Sequence, residues 1–229
     1  LRGRHYSHAY HQICMDLVGP INQESGTSDK YLLVVVDPFT HFPWIELIDR
    51  KDARTVYNAF VNRVLLEEGA PRAILTDNGT EFTDKTLKDL MEWLKVHFQF
   101  SPPYHPQSNQ TERSNRYIVE LLRCMVHAPD ARKRDWNKYI RYVEFAIRRT
   151  PIPGTNLTPF EVMRGREPLL PNDLALADER TPPDVTHAEH VKELHKTLKQ
   201  AEKMVTSARE RVMAKNKDLQ DLSRKHITF

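Results

Sequence analysis

The feature that most constrains the fold is an uninterrupted apolar run, Tyr31-Leu-Leu-Val-Val-Val36, which stops at Asp37-Pro38. A strand with one wet face alternates apolar and polar residues, so a continuous run suits a buried central strand. Shorter apolar stretches flank it. Ile13 to Val18 and Phe42 to Ile48 read as strands, and their close spacing makes the three an antiparallel meander. Asp52 is placed to cap a helix in which Val56, Phe60, Val64 and Leu65 recur at helical spacing, and Gly69 and Pro71 end it. Ala73 to Thr76 makes a fourth strand, and Asn78-Gly79 forces a turn directly after it. Thr83 or Asp84 caps the next helix, which buries Leu87, Leu90, Met91 and Leu94, and His97 to Phe100 is a fifth strand. The loop Ser101-Pro-Pro-Tyr-His-Pro-Gln then leads to helices over about 111–127 and 135–148, with a short one after Pro159. The order βββαβαβαα is that of a mixed central sheet flanked by helices, an α/β layer architecture.

A chain of 229 residues accommodates one well-buried domain with accessories. Residues 1–12 read as a linker, 13–170 as the core domain, 171–186 as a proline-rich linker and 187–229 as a long amphipathic helix. The stretch 166–186 holds Pro168, Pro171, Pro182 and Pro183 among charged residues. In the helix, Val191, Leu194, Leu198, Ala201, Val205, Ala208 and Val212 follow a 3,4 spacing for three heptads. Such a stripe either packs on its own domain or joins copies of the chain, and both readings stay open. No apolar run approaches the length of a bilayer-spanning helix, so no membrane partner is expected. The first eleven residues are basic and polar rather than a secretory signal. Cys14 and Cys124 fit no metal or disulfide spacing, which suits a reducing setting. The net charge is only +3, but it is uneven. Residues 187–229 carry ten Lys/Arg against six Asp/Glu, and residues 110–150 carry ten against five. Such stretches suit a polyanionic partner, although a solvated face explains any one of them equally well.

Three carboxylates stand out. Asp16 sits within the apolar Ile-Cys-Met-Asp-Leu-Val, where a buried charge needs a cation, a basic partner or a solvent-filled cleft. Its bland alternative is the wet face of a half-buried strand. Asp77 follows a strand directly, where ligands converge in α/β sheets, although Asp-Asn-Gly is also an ordinary turn. Glu112 opens a helix, where an acid also complements the helix dipole and pairs with Arg116 at i+4. Together the three make an oxygen-only ligand set suited to Mg²⁺ or Mn²⁺.

These residues stand in motifs that resemble the integrase catalytic core of retroviruses and LTR retrotransposons, with gypsy-type elements nearest in wording. The matching segments are Met-Asp16-Leu-Val-Gly-Pro, Thr-Asp77-Asn-Gly-Thr-Glu-Phe, and Tyr104-His-Pro-Gln-Ser-Asn with Thr-Glu112-Arg-Ser-Asn. Tyr31-Leu-Leu-Val-Val-Val-Asp, Trp136 and Thr158-Pro-Phe-Glu with Gly165-Arg extend the resemblance over about residues 10 to 175. It implies a ribonuclease H-like fold, a catalytic and metal-binding triad Asp16, Asp77 and Glu112, and two Mg²⁺ or Mn²⁺ ions. It further implies trimming of DNA 3′ ends and their joining to target DNA, in a homo-oligomer working in the nucleus after cytoplasmic synthesis. Tyr104, His105, Gln107 and Asn109 then suit stacking and hydrogen bonding at a DNA end, and Arg113 and Arg116 suit phosphate contacts. Asp37 and Glu81 fall in matched segments outside the triad; Asp37 takes a structural strand-end role, and Glu81 a turn or DNA-facing one.

The wording departs from the family at one place. A Gly usually follows the Asn of His-Pro-Gln-Ser-Asn, whereas here Asn109 runs straight into Gln110, leaving thirty-four residues between Asp77 and Glu112. That is one fewer than usual, and the loop loses a permissive backbone position. The family's N-terminal zinc module needs a cysteine pair, and His5, His8 and His11 have none nearby, so they read as linker. The alternative to an integrase is therefore a host-adopted, integrase-derived protein that binds DNA or protein partners without catalysis.

Overall fold

A computed structural model describes residues 8–21, 30–101, 137–168, 186, 189, 192–201, 203–204 and 206–207. The chain divides into two units, Leu1–Arg148 and Arg149–Phe229. The first is built on a five-stranded sheet of order β3-β2-β1-β4-β5. Its strands are β1 (Gln12–Ile21), β2 (Lys30–Val36), β3 (Pro43–Ile48), β4 (Ala73–Thr76) and β5 (His97–Phe100). β1, β2 and β3 pair antiparallel as the expected meander, and β4 and β5 add to β1 in parallel. The apolar run is thus β2, flanked by strands on both sides, and Leu32 to Val36 are all buried.

The two faces of β2 are covered by different helices. Val34 and Val36, with Leu32 and Ile45, cluster with Ile140, Val143 and Ile147 of α4 (Ile140–Arg149). On the opposite parity, Leu33 and Val35 turn away from that helix. α1 (Ala53–Phe60) packs against β2 and β3. It buries Val56 and Phe60, and each such side chain contributes about 1.5–3 kcal/mol. Asp52 caps α1, accepting from the Thr55 N–H and hydroxyl, both at 2.9 Å. The helix continues through a π-helical stretch, Val61–Leu65, in which Arg63 and Val64 are buried, and a last turn, Leu66–Glu68. α2 (Thr80–Thr83) is a short helix that the sequence did not announce. α3 (Lys85–Trp93) follows, capped by Asp84.

Residues 8–11, expected as linker, are tied to the sheet. The Tyr10 N–H donates to Asp37 Oδ2 at 3.0 Å, its hydroxyl donates to the Gly69 carbonyl at 2.7 Å, and its ring meets Trp44 edge-on at 5.8 Å. Burial, with Glu68 and Asp37 nearby, pushes the Tyr10 phenol well above its usual range. Asp37 is fully buried and also accepts from the Phe39 N–H and the Thr40 hydroxyl, the structural strand-end role expected of it.

In the second unit, α5 (Pro159–Arg164) begins with a reciprocal capping box. Glu161 N–H donates to Thr158 Oγ1 at 3.1 Å and Thr158 N–H to Glu161 Oε2 at 2.8 Å. Gly165 ends the helix at φ +70°, a left-handed conformation suited to glycine. Residues 192–201 are helical, and Leu194 and Leu198 lie against Gly165 so closely that a β-carbon there would strike both. Among the described residues, then, part of the apolar stripe packs on its own chain.

Candidate catalytic site

Register brings two of the three expected carboxylates together. β1 and β4 run parallel with Cys14 opposite Leu75. Asp16 lies two residues beyond Cys14 within β1, and Asp77 two beyond Leu75, one residue past the end of β4, so both follow the last paired residues of two neighbouring strands. Two-residue periodicity keeps Asp16 on the face of Cys14. In the antiparallel pair Asp16 faces Val34, which puts it on the sheet face that α4 covers. The sheet's middle therefore holds the site, with β1 and β4 both internal strands.

Local hydrogen bonds aim each carboxylate. Asp16 is half-buried, and its Oδ1 accepts from the Leu17 N–H at 2.8 Å. Asp77 is exposed at the carboxyl end of β4, and its Oδ1 accepts from the Gly79 N–H at 3.0 Å. The Asn78 amide donates to the Ser101 carbonyl at 3.2 Å, while the Ser101 N–H donates to the Thr76 carbonyl at 2.8 Å. The Asp77 turn is thereby stapled to the end of β5. Ser101 opens the segment that leads to Tyr104, His105, Gln107, Asn109, Glu112, Arg113 and Arg116, all of which lie outside the described residues.

Glu81 departs from expectation. It is neither in a loop nor turned to solvent: it lies in α2 at 3% exposure, with Oε1 3.1 Å from Lys51 Nζ and Oε2 3.3 Å from the Thr80 hydroxyl. The sequence places it one residue before the buried Phe82, in a stretch that reads as a turn, and nothing local announces the lysine.

A second set of charges was missed altogether. Arg63 is buried and pairs with Glu144 and Glu67, while Arg148 lies 2.5 Å from Glu144. Glu144 Oε2 accepts from the Ile45 N–H at 2.9 Å, and Arg141 and Arg148 donate to the carbonyls of Ile45 and Pro43. These groups sit on the outer side of the edge strand β3 and occupy peptide groups that would otherwise invite another strand. The signal was present in the sequence. Glu144 falls between Val143 and Ile147 on the buried stripe of α4, and Arg63 stands beside Val64 in the π-helical stretch that continues α1.

His8 and His11 meet edge-on, with ring nitrogens 3.3 Å apart. Burial first, then His8 and Arg72, hold the His11 imidazole below its usual range. Among the described residues no three His, Cys, Asp or Glu side chains assemble in a way that could hold a metal ion. Asp16 and Asp77 supply two oxygen donors, and the third expected ligand, Glu112, lies outside the described residues.

Strand order and helix placement define a ribonuclease H-like α/β core. The integrase core domain family matches residues 7–106 of the chain. It is similar to the retrovirus-related Pol polyprotein from transposon 412 of Drosophila melanogaster, 28% identical over 165 residues. That alignment covers 72% of this chain and 13% of the relative. The transposon Tf2-3 polyprotein of Schizosaccharomyces pombe is 30% identical over 163 residues, covering 70% and 12%. The chain thus spans about one eighth of the length of the curated relatives it matches. Among solved structures, the HTLV-2 integrase catalytic core in complex with magnesium superposes with a TM-score of 0.56 at 16% identity, covering 68% of this chain and 97% of that one. The BIV integrase catalytic core gives 0.55 at 19% identity, covering 67% and 93%. A chain of the simian T-cell lymphotropic virus intasome in complex with the PP2A regulatory subunit B56 gamma gives 0.61 at 18% identity, covering 80% and 62%.

Proposed function

We propose that this chain is the catalytic core of a DNA-integrating polynucleotidyl transferase, which trims DNA 3′ ends and joins them to target DNA. The observation that carries this is the parallel pairing of β1 with β4, which sets the segments holding Asp16 and Asp77 side by side, each carboxylate having one oxygen held by a backbone N–H of its own segment. Two carboxylates so placed, with Glu112 as a third, form the hard oxygen donor set that Mg²⁺ or Mn²⁺ prefers. A similar fold has been solved with magnesium bound. Asp16, Asp77 and Glu112 would together hold two such ions. Such a pair of ions supplies activation of the attacking oxygen and charge stabilisation at the leaving one.

The chain's own residues then do the positioning. The Leu17 and Gly79 amides each hold one oxygen of the two aspartates, and the Asn78–Ser101 staple holds the Asp77 turn against the strand that feeds the loop. Tyr104, His105, Gln107 and Asn109 would seat the DNA end, and Arg113 and Arg116 would meet phosphates. The HTLV-2 core has been solved in dimeric and trimeric forms, which supports a homo-oligomer here. Its place of work, on this reading, is the nucleus.

The test is metal-dependent trimming and joining of short duplex ends by the intact chain. Wild type should need Mg²⁺ or Mn²⁺, and Asp16→Asn, Asp77→Asn and Glu112→Gln should each lose on the order of a hundredfold or more in rate. A second reading, a DNA- or protein-binding derivative without catalysis, is favoured by the missing glycine before Gln110. It is the correct one if the chain binds DNA but turns over none with either metal.

A further inference from the structure

We infer that Glu81, held by Lys51, is a positioning residue that sets the orientation of Asp77 through the peptide of Gly79; its catalytic consequence rests on the function proposed above. Gly79 is restrained from three sides. Its N–H donates to Asp77 Oδ1 at 3.0 Å. Its carbonyl accepts from the N–H groups of Phe82 at 3.0 Å and Thr83 at 3.1 Å, at the start of α2. Its third neighbour is the Glu81 carboxylate, which folds back under its Cα. A β-carbon built on Gly79 falls 2.6 Å from Glu81 Oε1 and 2.8 Å from its Cδ, closer than real atoms approach.

That contact explains the glycine. Gly79 has φ −57° and ψ 144°, a conformation open to any residue, so the backbone does not demand glycine here. Space does. The carboxylate takes the place a side chain would fill, and at 3% exposure it has little room to move aside.

The buried acid needs a reason and a partner. A carboxylate withdrawn from water without compensation is costly, and an apolar side chain would fill the same volume more cheaply. Lys51, in the loop between β3 and α1, provides the counter-charge at 3.1 Å while its own side chain stays 48% exposed. The pair therefore links the β3–α1 loop to the turn carrying Asp77. Loss of either partner frees the Glu81 end of this linkage, and the Gly79 N–H then releases Asp77 Oδ1. Asp77 itself is exposed, so without that N–H solvent would share its orientation.

The experiment uses the full chain and the variants Glu81→Gln, Lys51→Met, Lys51→Arg, Gly79→Ala and Gly79→Ala/Glu81→Ala. The first readout is hydrogen exchange of the Gly79 amide without metal or DNA, with β1 and β2 amides as the internal reference. Glu81→Gln and Lys51→Met should speed Gly79 exchange about tenfold, the factor carried by a hydrogen bond of ordinary strength, with the reference amides unchanged. Lys51→Arg should restore it. Gly79→Ala should also loosen the turn, and adding Glu81→Ala should recover part of the loss because the clash is gone. The second readout is the Mn²⁺ concentration for half-maximal joining, which should rise several-fold in Glu81→Gln and Lys51→Met while the rate at saturating Mn²⁺ changes little. Gly79 exchange unchanged in both variants would overturn the inference. So would a uniform loss of protection across β1 and β2, which would make the pair a general fold support. If wild type joins no DNA, the functional reading fails, and Gly79 exchange alone still decides the positioning role.

Discussion

Arg63 and Glu144 lie 81 residues apart and meet as a buried ion pair that joins the π-helical stretch after α1 to α4 across the edge of β3. Glu144 also takes the Ile45 N–H and the Arg148 guanidinium, so its removal leaves an edge peptide unpaired and strips the buried Arg63 of its buried carboxylate partner, leaving it the more exposed Glu67. Breaking a buried pair from one side typically costs about 3–5 kcal/mol. Glu144→Ala should therefore lower the urea-unfolding free energy by about that amount. A loss below about 1 kcal/mol, the value of a surface pair, would show that solvent already screens the network.

Acid should weaken the helix caps. The backbone N–H of Thr55, then its hydroxyl, hold the Asp52 carboxyl below its ordinary range, and Thr86 does the same for Asp84. A carboxyl whose folded pKa lies below its unfolded one adds stability that is present above the unfolded value and lost as pH falls through the folded one. Urea midpoints should thus hold from neutral pH down to about pH 4 and decline below it. Asp52→Asn keeps an acceptor at the cap but does not titrate there, so its decline should be shallower. Superimposable profiles for the two proteins would remove Asp52 from the acid response.

DNA binding should draw on one face of the C-terminal helix. Lys192, Lys196, Lys199 and Lys203 are exposed and recur at helical spacing, on the side opposite Leu194 and Leu198. At 1.5 Å per residue they span roughly 16 Å, enough to follow several phosphates. Replacing all four by Gln should weaken binding equally across sequences and flatten the log-affinity against log-salt slope by about one for each lysine engaged. An unaltered slope would show that the stripe is merely solvated.

The shortened loop before Glu112 should limit turnover. Glu112 needs an oxygen within about 2.0–2.1 Å of Mg²⁺ to serve as a ligand, and a displacement of about 1 Å can cost on the order of a hundredfold in rate. Inserting Gly between Asn109 and Gln110 should therefore raise metal-dependent joining. If wild type already joins well and the insertion changes nothing, the first turn of the following helix has absorbed the missing residue.

Local features were legible because the residues that determine them lie within a few positions of one another. The apolar run is β2, Asp52 and Asp84 cap their helices, and Thr158-Pro-Phe-Glu161 forms its capping box within four residues. Asp16 and Asp77 could be singled out because a charge after or within an apolar strand is conspicuous, and because their motifs resemble a known family. That their segments lie side by side was not legible. It follows from the parallel pairing of Cys14 with Leu75, and a strand carries no local record of which distant strand it will join or in what register. The same holds for the buried charges. Glu81 with Lys51, and Glu144 with Arg63, are tolerated only because each finds a counter-charge brought in from another element, and desolvation makes that match worthwhile only once the core has closed around it.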